Sequence, residues 1–196
     1  VERSRGLGDV YKRQMVNCID DYVGDIVAKL DVLGIAEDTL IIFTSDNGPH
    51  SEAGHNPEYF NSNGPFKGKK RDLYEGGIRV PMIATWPGTI AAGSTSEHVS
   101  AFWDVFPTLA EISGQPIPEN IDGLSFLPTL LDKGEQAAHD YLYWEFHEKK
   151  GRQAIRKGNW KGVRYNVSIS PDPPIELYDL SADLGEAKNL AEQYPE

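Results

Sequence analysis

Cysteine is all but missing from this chain. Cys18 is the single one, which excludes an internal disulfide framework and a cysteine-based zinc cluster. Basic residues are also scarce: 19 Lys and Arg stand against 30 Asp and Glu, a formal net charge of -11. Nucleic-acid recognition needs a basic face, so nucleic acid is excluded as a partner. An anionic ligand would meet a repelling overall field and needs a local positive pocket or a metal ion. No apolar run is long enough to span a bilayer, and there is no internal repeat or low-complexity tract.

What is present supports a folded core. Hydrophobic residues make up 39% of the 196 positions, with four Trp and nine Tyr. That length suits one domain, or one domain with a small appendage. The first fourteen residues, VERSRGLGDVYKRQ, carry no helical or strand periodicity. They resemble adapter sequence read as protein at the ends of metagenomic reads. Residues 1–14 are therefore expected to be a non-native or disordered leader, with native sequence beginning near Met15.

Ile19, Tyr22, Val23, Ile26, Val27, Leu30 and Leu33 recur at helical spacing, and Gly34 is placed to end the helix. Cys18 lies on this helix as an ordinary, partly buried thiol, and Asp20 and Asp21 belong to its polar face. The apolar run Leu40 to Ser45 then predicts a strand buried on both faces, as in a parallel sheet. Val80 to Thr85 is a second candidate. The helix and strand read as half of a βαβ crossover, hence as the C-terminal piece of a larger α/β domain.

The first strand ends in Asp46-Asn47-Gly48. Ligands of such sheets bind beyond the carboxyl ends of their strands. Carboxylate and amide oxygens suit a hard cation such as Ca²⁺ or Mg²⁺. Asn-Gly is equally a strong hairpin signal, so at this point both readings stand.

Residues 47–78 form a long polar loop, locally basic at Lys67, Lys69, Lys70 and Arg71. Asp104 is expected to cap a helix over Val105 to Ile112 that ends at Gly114, and Leu124 to Leu131 is a further helical stretch. Beyond Tyr141, the segments 141–146, 153–156, 160–164 and 176–178 are separated by Gly, Asn and Pro and read as an antiparallel meander. Glu186 to Gln193 is expected to form a closing helix. The boundaries expected are 15–135 for the α/β part and 136–196 for a small antiparallel subdomain.

Three blocks carry a family resemblance: Thr44-Ser45-Asp46-Asn47-Gly48-Pro49-His50; Gly68 to Pro81 with Tyr74-Glu75-Gly76-Gly77 at its centre; and Asp104 to Leu109 followed by Ile121-Asp122-Gly123. In this order they resemble the C-terminal half of type I, formylglycine-dependent sulfatases. Trp144 to Glu148 and Glu176 to Leu180 resemble the tail of bacterial members. The resemblance implies an α/β, alkaline-phosphatase-like core, here its C-terminal part only, with a small C-terminal antiparallel sheet and helix. It implies hydrolysis of sulfate esters of carbohydrates or aryl alcohols, with Ca²⁺ held in part by Asp46 and Asn47. Lys70, four residues before the Tyr-Glu-Gly-Gly block, would hold a sulfate oxygen and stabilise developing charge; Lys67 and Lys69 compete for that role.

His50, His55 and His147 are weaker candidates for contacting substrate. Arg79 reads as a structural ion pair. Tyr74, Gly76 and Gly77 would shape the backbone that aims Lys70. The family's C/S-x-P-x-R signature, source of its formylglycine nucleophile, does not occur here, and Cys18 does not match it. That group and the remaining metal ligands would lie in a preceding part. Family members are mostly exported or, in animals, lysosomal, so a periplasmic or extracellular site would follow. Two alternatives remain: a phosphodiesterase or phosphonate hydrolase of the same superfamily, and a non-catalytic glycan-binding remnant.

Overall fold

The computed structural model describes residues 2–52 and 55–195. Helix α1 runs from Glu2 to Leu33. It ends where expected: Gly34, at φ +67°, donates to Asp31 O (3.0 Å), and Ile35 donates to Leu30 O (3.1 Å). These two bonds satisfy the last carbonyls through a left-handed residue that glycine adopts without strain. Residues 2–14, expected to be a non-native or disordered leader, are part of this helix. No proline near Met15 interrupts it, and Arg, Lys, Glu and Gln are good helix formers. The apolar stripe at helical spacing is exposed: Ile19, Tyr22, Ile26, Val27 and Leu33 all face solvent. Cys18 is exposed too, not partly buried.

The contacts divide the chain into two units, and the division differs from a simple cut near residue 135. One unit gathers Val1–Val23, Thr44–Pro81 and Tyr141–Glu196; the other gathers Gly24–Phe43 and Met82–Asp140.

In the second unit, strand β1 (Ile41–Thr44, continuing one residue beyond the unit) pairs with β2 (Met82–Thr85) in a two-stranded sheet. The strand expected to be buried on both faces is only half-buried, and Phe43 is exposed, since β2 is its sheet partner among the described residues. Helix α3 (Val105–Ile112) ends at Gly114 (φ +66°) by the same pair of bonds that ends α1, and α4 (Leu127–Leu131) is one short turn. Asp104 does not cap α3. Its carboxylate instead accepts from Ala101 N (2.7 Å) and Leu124 N (2.8 Å) and meets His139 Nε2 at 2.9 Å, so it ties three segments together.

In the first unit, β3 (Leu142–Phe146), β4 (Arg152–Lys157), β5 (Trp160–Tyr165) and β6 (Glu176–Asp179) form an antiparallel sheet in chain order. Alternation sets the inward face. Trp144, Ala154 and Val163 share one cross-strand row, and Leu142, Arg156, Lys161 and Tyr178 share another. This face is apolar and cationic together, and it takes the 67–79 segment as its cover. Leu73 is buried with Ala154, Val163 and Tyr178. Asp72 meets Arg152 at 2.8 Å, and Glu75 meets Lys161 at 2.8 Å. Those contacts are why the loop groups with the sheet.

The expected closing helix over 186–193 is absent. Glu186 is buried in a left-handed conformation (φ +51°), and Leu190 N donates to Leu177 O (2.8 Å), which lays this segment along the β6 edge. No described helix is long and apolar enough to cross a membrane.

Candidate active site

Ser45 to Pro49 leave the end of β1 as a turn held by its own side chains. Ser45 Oγ donates to Asn47 O (3.0 Å), and Asn47 Nδ2 donates to Gly48 O (2.9 Å). That bond orients the amide and leaves Asn47 Oδ1 as its acceptor end. The turn is not a hairpin, since β1 pairs with β2, far along the chain.

Beside it lies the single helical turn α2 (Glu75–Ile78). The two backbones meet directly: Gly48 N donates to Gly77 O (3.0 Å). A Cβ on Gly48 would overlap Gly76 O, and one on Gly77 would overlap Asp72 O. Glycine is required here because main chain packs on main chain. Two further bonds bring in the basic segment: Gly76 N donates to Lys67 O (2.7 Å), and Lys70 N donates to Pro49 O (2.9 Å).

These segments line an open hollow of about 690 Å³. Its lining includes Asp46, Asn47, His50, Lys70 and Arg79, with Lys12 of α1. Three fixed cations and one carboxylate line a hollow in a chain whose net charge is -11. This is the local positive pocket that an anionic ligand requires.

Residues 11–115 match the Sulfatase family, and residues 66–195 match the family described as N-sulphoglucosamine sulphohydrolase, C-terminal. This chain is a member of the sulfatase family. Human steryl-sulfatase is 43% identical over 202 residues, which cover 88% of this chain and 34% of that protein. The N-acetylgalactosamine-6-O-sulfatase of Bacteroides thetaiotaomicron is 34% identical, over 97% of this chain and 40% of its own length. Among solved structures, a protein crystallised in complex with k-i-k-neocarrahexaose superposes with a TM-score of 0.78 at 30% identity, covering 92% of this chain and 38% of that one. The phosphonate monoester hydrolase of Agrobacterium radiobacter superposes at 0.67 and 28%, covering 90% and 36%. The chain thus spans a little over a third of the length of the proteins it matches.

Within this sulfatase chain, the structure separates the three lysines. Lys67 is committed elsewhere: its Nζ donates to Tyr178 OH (3.1 Å) and Glu186 O (3.2 Å) and lies 3.9 Å above the Tyr74 ring. Lys69 does not line the cavity, and Lys70 does. Arg79 is both things at once. It lines the cavity, and it reaches Glu75 at 3.6 Å and stacks over Phe66 at 4.9 Å.

The three histidines part company. His50 lines the cavity, and its Nδ1 accepts from Glu52 N (3.2 Å), which puts the ring proton on Nε2. Burial lowers its pKa below 6.5, with further repulsion from His55 and Lys12. The Nε2–H of His50 is a donor, and burial disfavours the charged form. His55 stands behind it, edge-on at 4.9 Å, outside the lining, with Nδ1 buried and without a hydrogen-bond partner. His147 is 88% exposed, 3.7 Å from Glu145, and the cavity does not include it.

Sequence reasoning missed Lys12, which it assigned to the leader, and Asn63, whose amide lines the cavity and bridges Phe66 O (3.1 Å) and Gly68 O (2.7 Å). Neither carries a local signal. It also passed over Lys161 and Glu186, both fully buried. For Lys161 a signal existed: by strand alternation it shares the inward face with Val163.

Proposed function

We propose that this chain supplies the C-terminal share of an enzyme that hydrolyses sulfate esters, of sulfated carbohydrates or aryl alcohols. The observation that carries the reading is the convergence of Asp46, Asn47 and Lys70 on one cavity with a cationic lining.

The donor set fits part of a Ca²⁺ site. Asp46 offers a charged oxygen and Asn47 a neutral one, and Ca²⁺ takes six to eight such ligands. Among the described residues no group of three or more His, Cys, Asp or Glu stands together, so these two residues would be a partial set. A cation held there neutralises charge on the sulfate group. Lys70 holds a sulfate oxygen as a compact ammonium with three donors. His50, a neutral Nε2–H donor, offers a hydrogen bond to an ester or hydroxyl oxygen. The formylglycine nucleophile does not fit this chain: Cys18 is exposed on α1 and is followed by Ile19-Asp20-Asp21-Tyr22.

Likeness to a phosphonate monoester hydrolase keeps a second reading in view. The test is hydrolysis of p-nitrophenyl sulfate and of a phenylphosphonate monoester by the product of the complete reading frame that encodes this chain. Sulfate turnover should dominate, and Lys70→Ala should lower its kcat/KM by about 10²–10³-fold, as loss of one oxyanion-binding donor does. Preferential phosphonate turnover, or an unchanged rate in Lys70→Ala, overturns the reading.

A further inference from the structure

Between α2 and the antiparallel sheet, three charged side chains are sealed from solvent. Lys161 and Glu186 are 0% exposed and Glu75 is 2% exposed. Lys161 Nζ donates to Glu75 Oε1 (2.8 Å) and lies 3.1 Å from Glu186 Oε1, the second contact an ion pair without hydrogen-bond alignment. Glu186 Oε2 accepts from the backbone N of Glu75 (2.6 Å). Glu75 is therefore gripped twice, at its carboxylate and at its main chain. It is also the first residue of α2, the turn whose next two residues abut Gly48 and accept or donate the bonds that join the metal-pair turn to the lysine segment.

A buried ion cluster is a poor device for stability alone. Desolvating three charges costs several kcal/mol each, and apolar residues of similar volume often do as well. What an ion cluster adds is a specific position, because its members must meet at hydrogen-bonding distance. Here that position is the height of α2 above the sheet.

We propose that Lys161 and Glu186 are positioning residues: they fix Glu75, and through α2 they set where Asn47 and Lys70 stand relative to each other. The path is continuous. Glu186 holds Glu75 N, Gly76 N holds Lys67 O, Gly77 O holds Gly48 N, and Pro49 O holds Lys70 N. The inference rests on the proposed function only for its catalytic consequence; the geometric claim stands without it.

Amide hydrogen exchange on this chain tests the geometric claim directly. In Glu186→Ala, exchange at Gly48, Gly76 and Lys70 should accelerate at least tenfold, while Ala154 and Val163 in the sheet stay within twofold. Glu186→Gln keeps the length and an acceptor for Glu75 N and should restore the slow rates. If Glu186→Ala does not fold, Glu186→Asp, one methylene short, should show the same local pattern at about threefold. A uniform acceleration, or unchanged exchange at Gly48 and Lys70, overturns the proposal. In the product of the complete reading frame, Glu186→Ala should lower kcat for an aryl sulfate at least tenfold with KM moved less than threefold. Failure of the wild type to turn over any sulfate ester would sink the proposed function and leave the exchange result to decide this one.

Discussion

Lys67 and Lys70 belong to one short basic run and meet different ends because of what surrounds each ammonium. Lys67 finds two tyrosine rings, a hydroxyl and a carbonyl. Those partners use it up. The same pairing acts on its neighbours: Tyr74 OH donates to Glu176 (2.6 Å), and burial with that carboxylate pushes the phenol pKa strongly upward. Tyr74 and Tyr178 therefore remain protonated and structural. His50 is the histidine of this cavity, and burial holds its pKa below the ordinary imidazole value. Its folded pKa lies below 6.5, so between that value and 6.5 the unfolded chain binds more protons than the folded one. Stability contributed by this residue is complete above 6.5 and is lost as pH falls through that window. An NMR titration of the imidazole should give a midpoint below 6.5, and a midpoint above it contradicts the neutral-donor role.

Between elements, the contact of the Asp46–Gly48 turn with α2 is the least forgiving in the site. Gly48→Ala places a methyl group on Gly76 O and should cost about 3 kcal/mol, an overpacking penalty at its upper end. Gly34→Ala, at positive φ but in open space, should cost only about 1 kcal/mol. Urea denaturation of the two variants gives the comparison; equal losses would mean that close packing at Gly48 is not what demands glycine. The elements themselves were largely readable. Strands β3 to β6 follow from alternation between glycine, asparagine and proline breaks, and both glycine helix ends appear where the sequence puts them. The misreadings share a cause. Asp104 and Glu186 look like ordinary helix-start residues locally, but each is claimed by partners far along the chain: Leu124 and His139 for the first, Lys161 and Glu75 for the second. A one-dimensional pattern shows that a residue is polar and in which period it falls. It does not show which distant group will bury it.

At the scale of the whole molecule, the apolar stripe of α1 is exposed and β1 is half-buried, where a parallel α/β sheet usually buries both. The matched proteins are more than twice as long as this chain. On the proposed Ca²⁺ role of Asp46 and Asn47, two oxygen ligands of the usual six to eight would leave the ion weakly held. Calorimetric titration of this chain alone should give a Ca²⁺ dissociation constant no tighter than about 1 mM, at the weak end of protein calcium sites, and the chain alone should show no turnover of p-nitrophenyl sulfate. Micromolar binding or measurable turnover would show that the site is complete within these residues.

The joint between Gly48, Gly76 and Gly77 is made of peptide groups alone. Peptide groups do not ionise over the range in which proteins stay folded. Protonation of His50 therefore changes the cavity's charge without breaking a bond of this joint. At this joint shape and charge are carried by different atoms, so protonating His50 adjusts how strongly an anion is held without breaking the contact between the turn and α2.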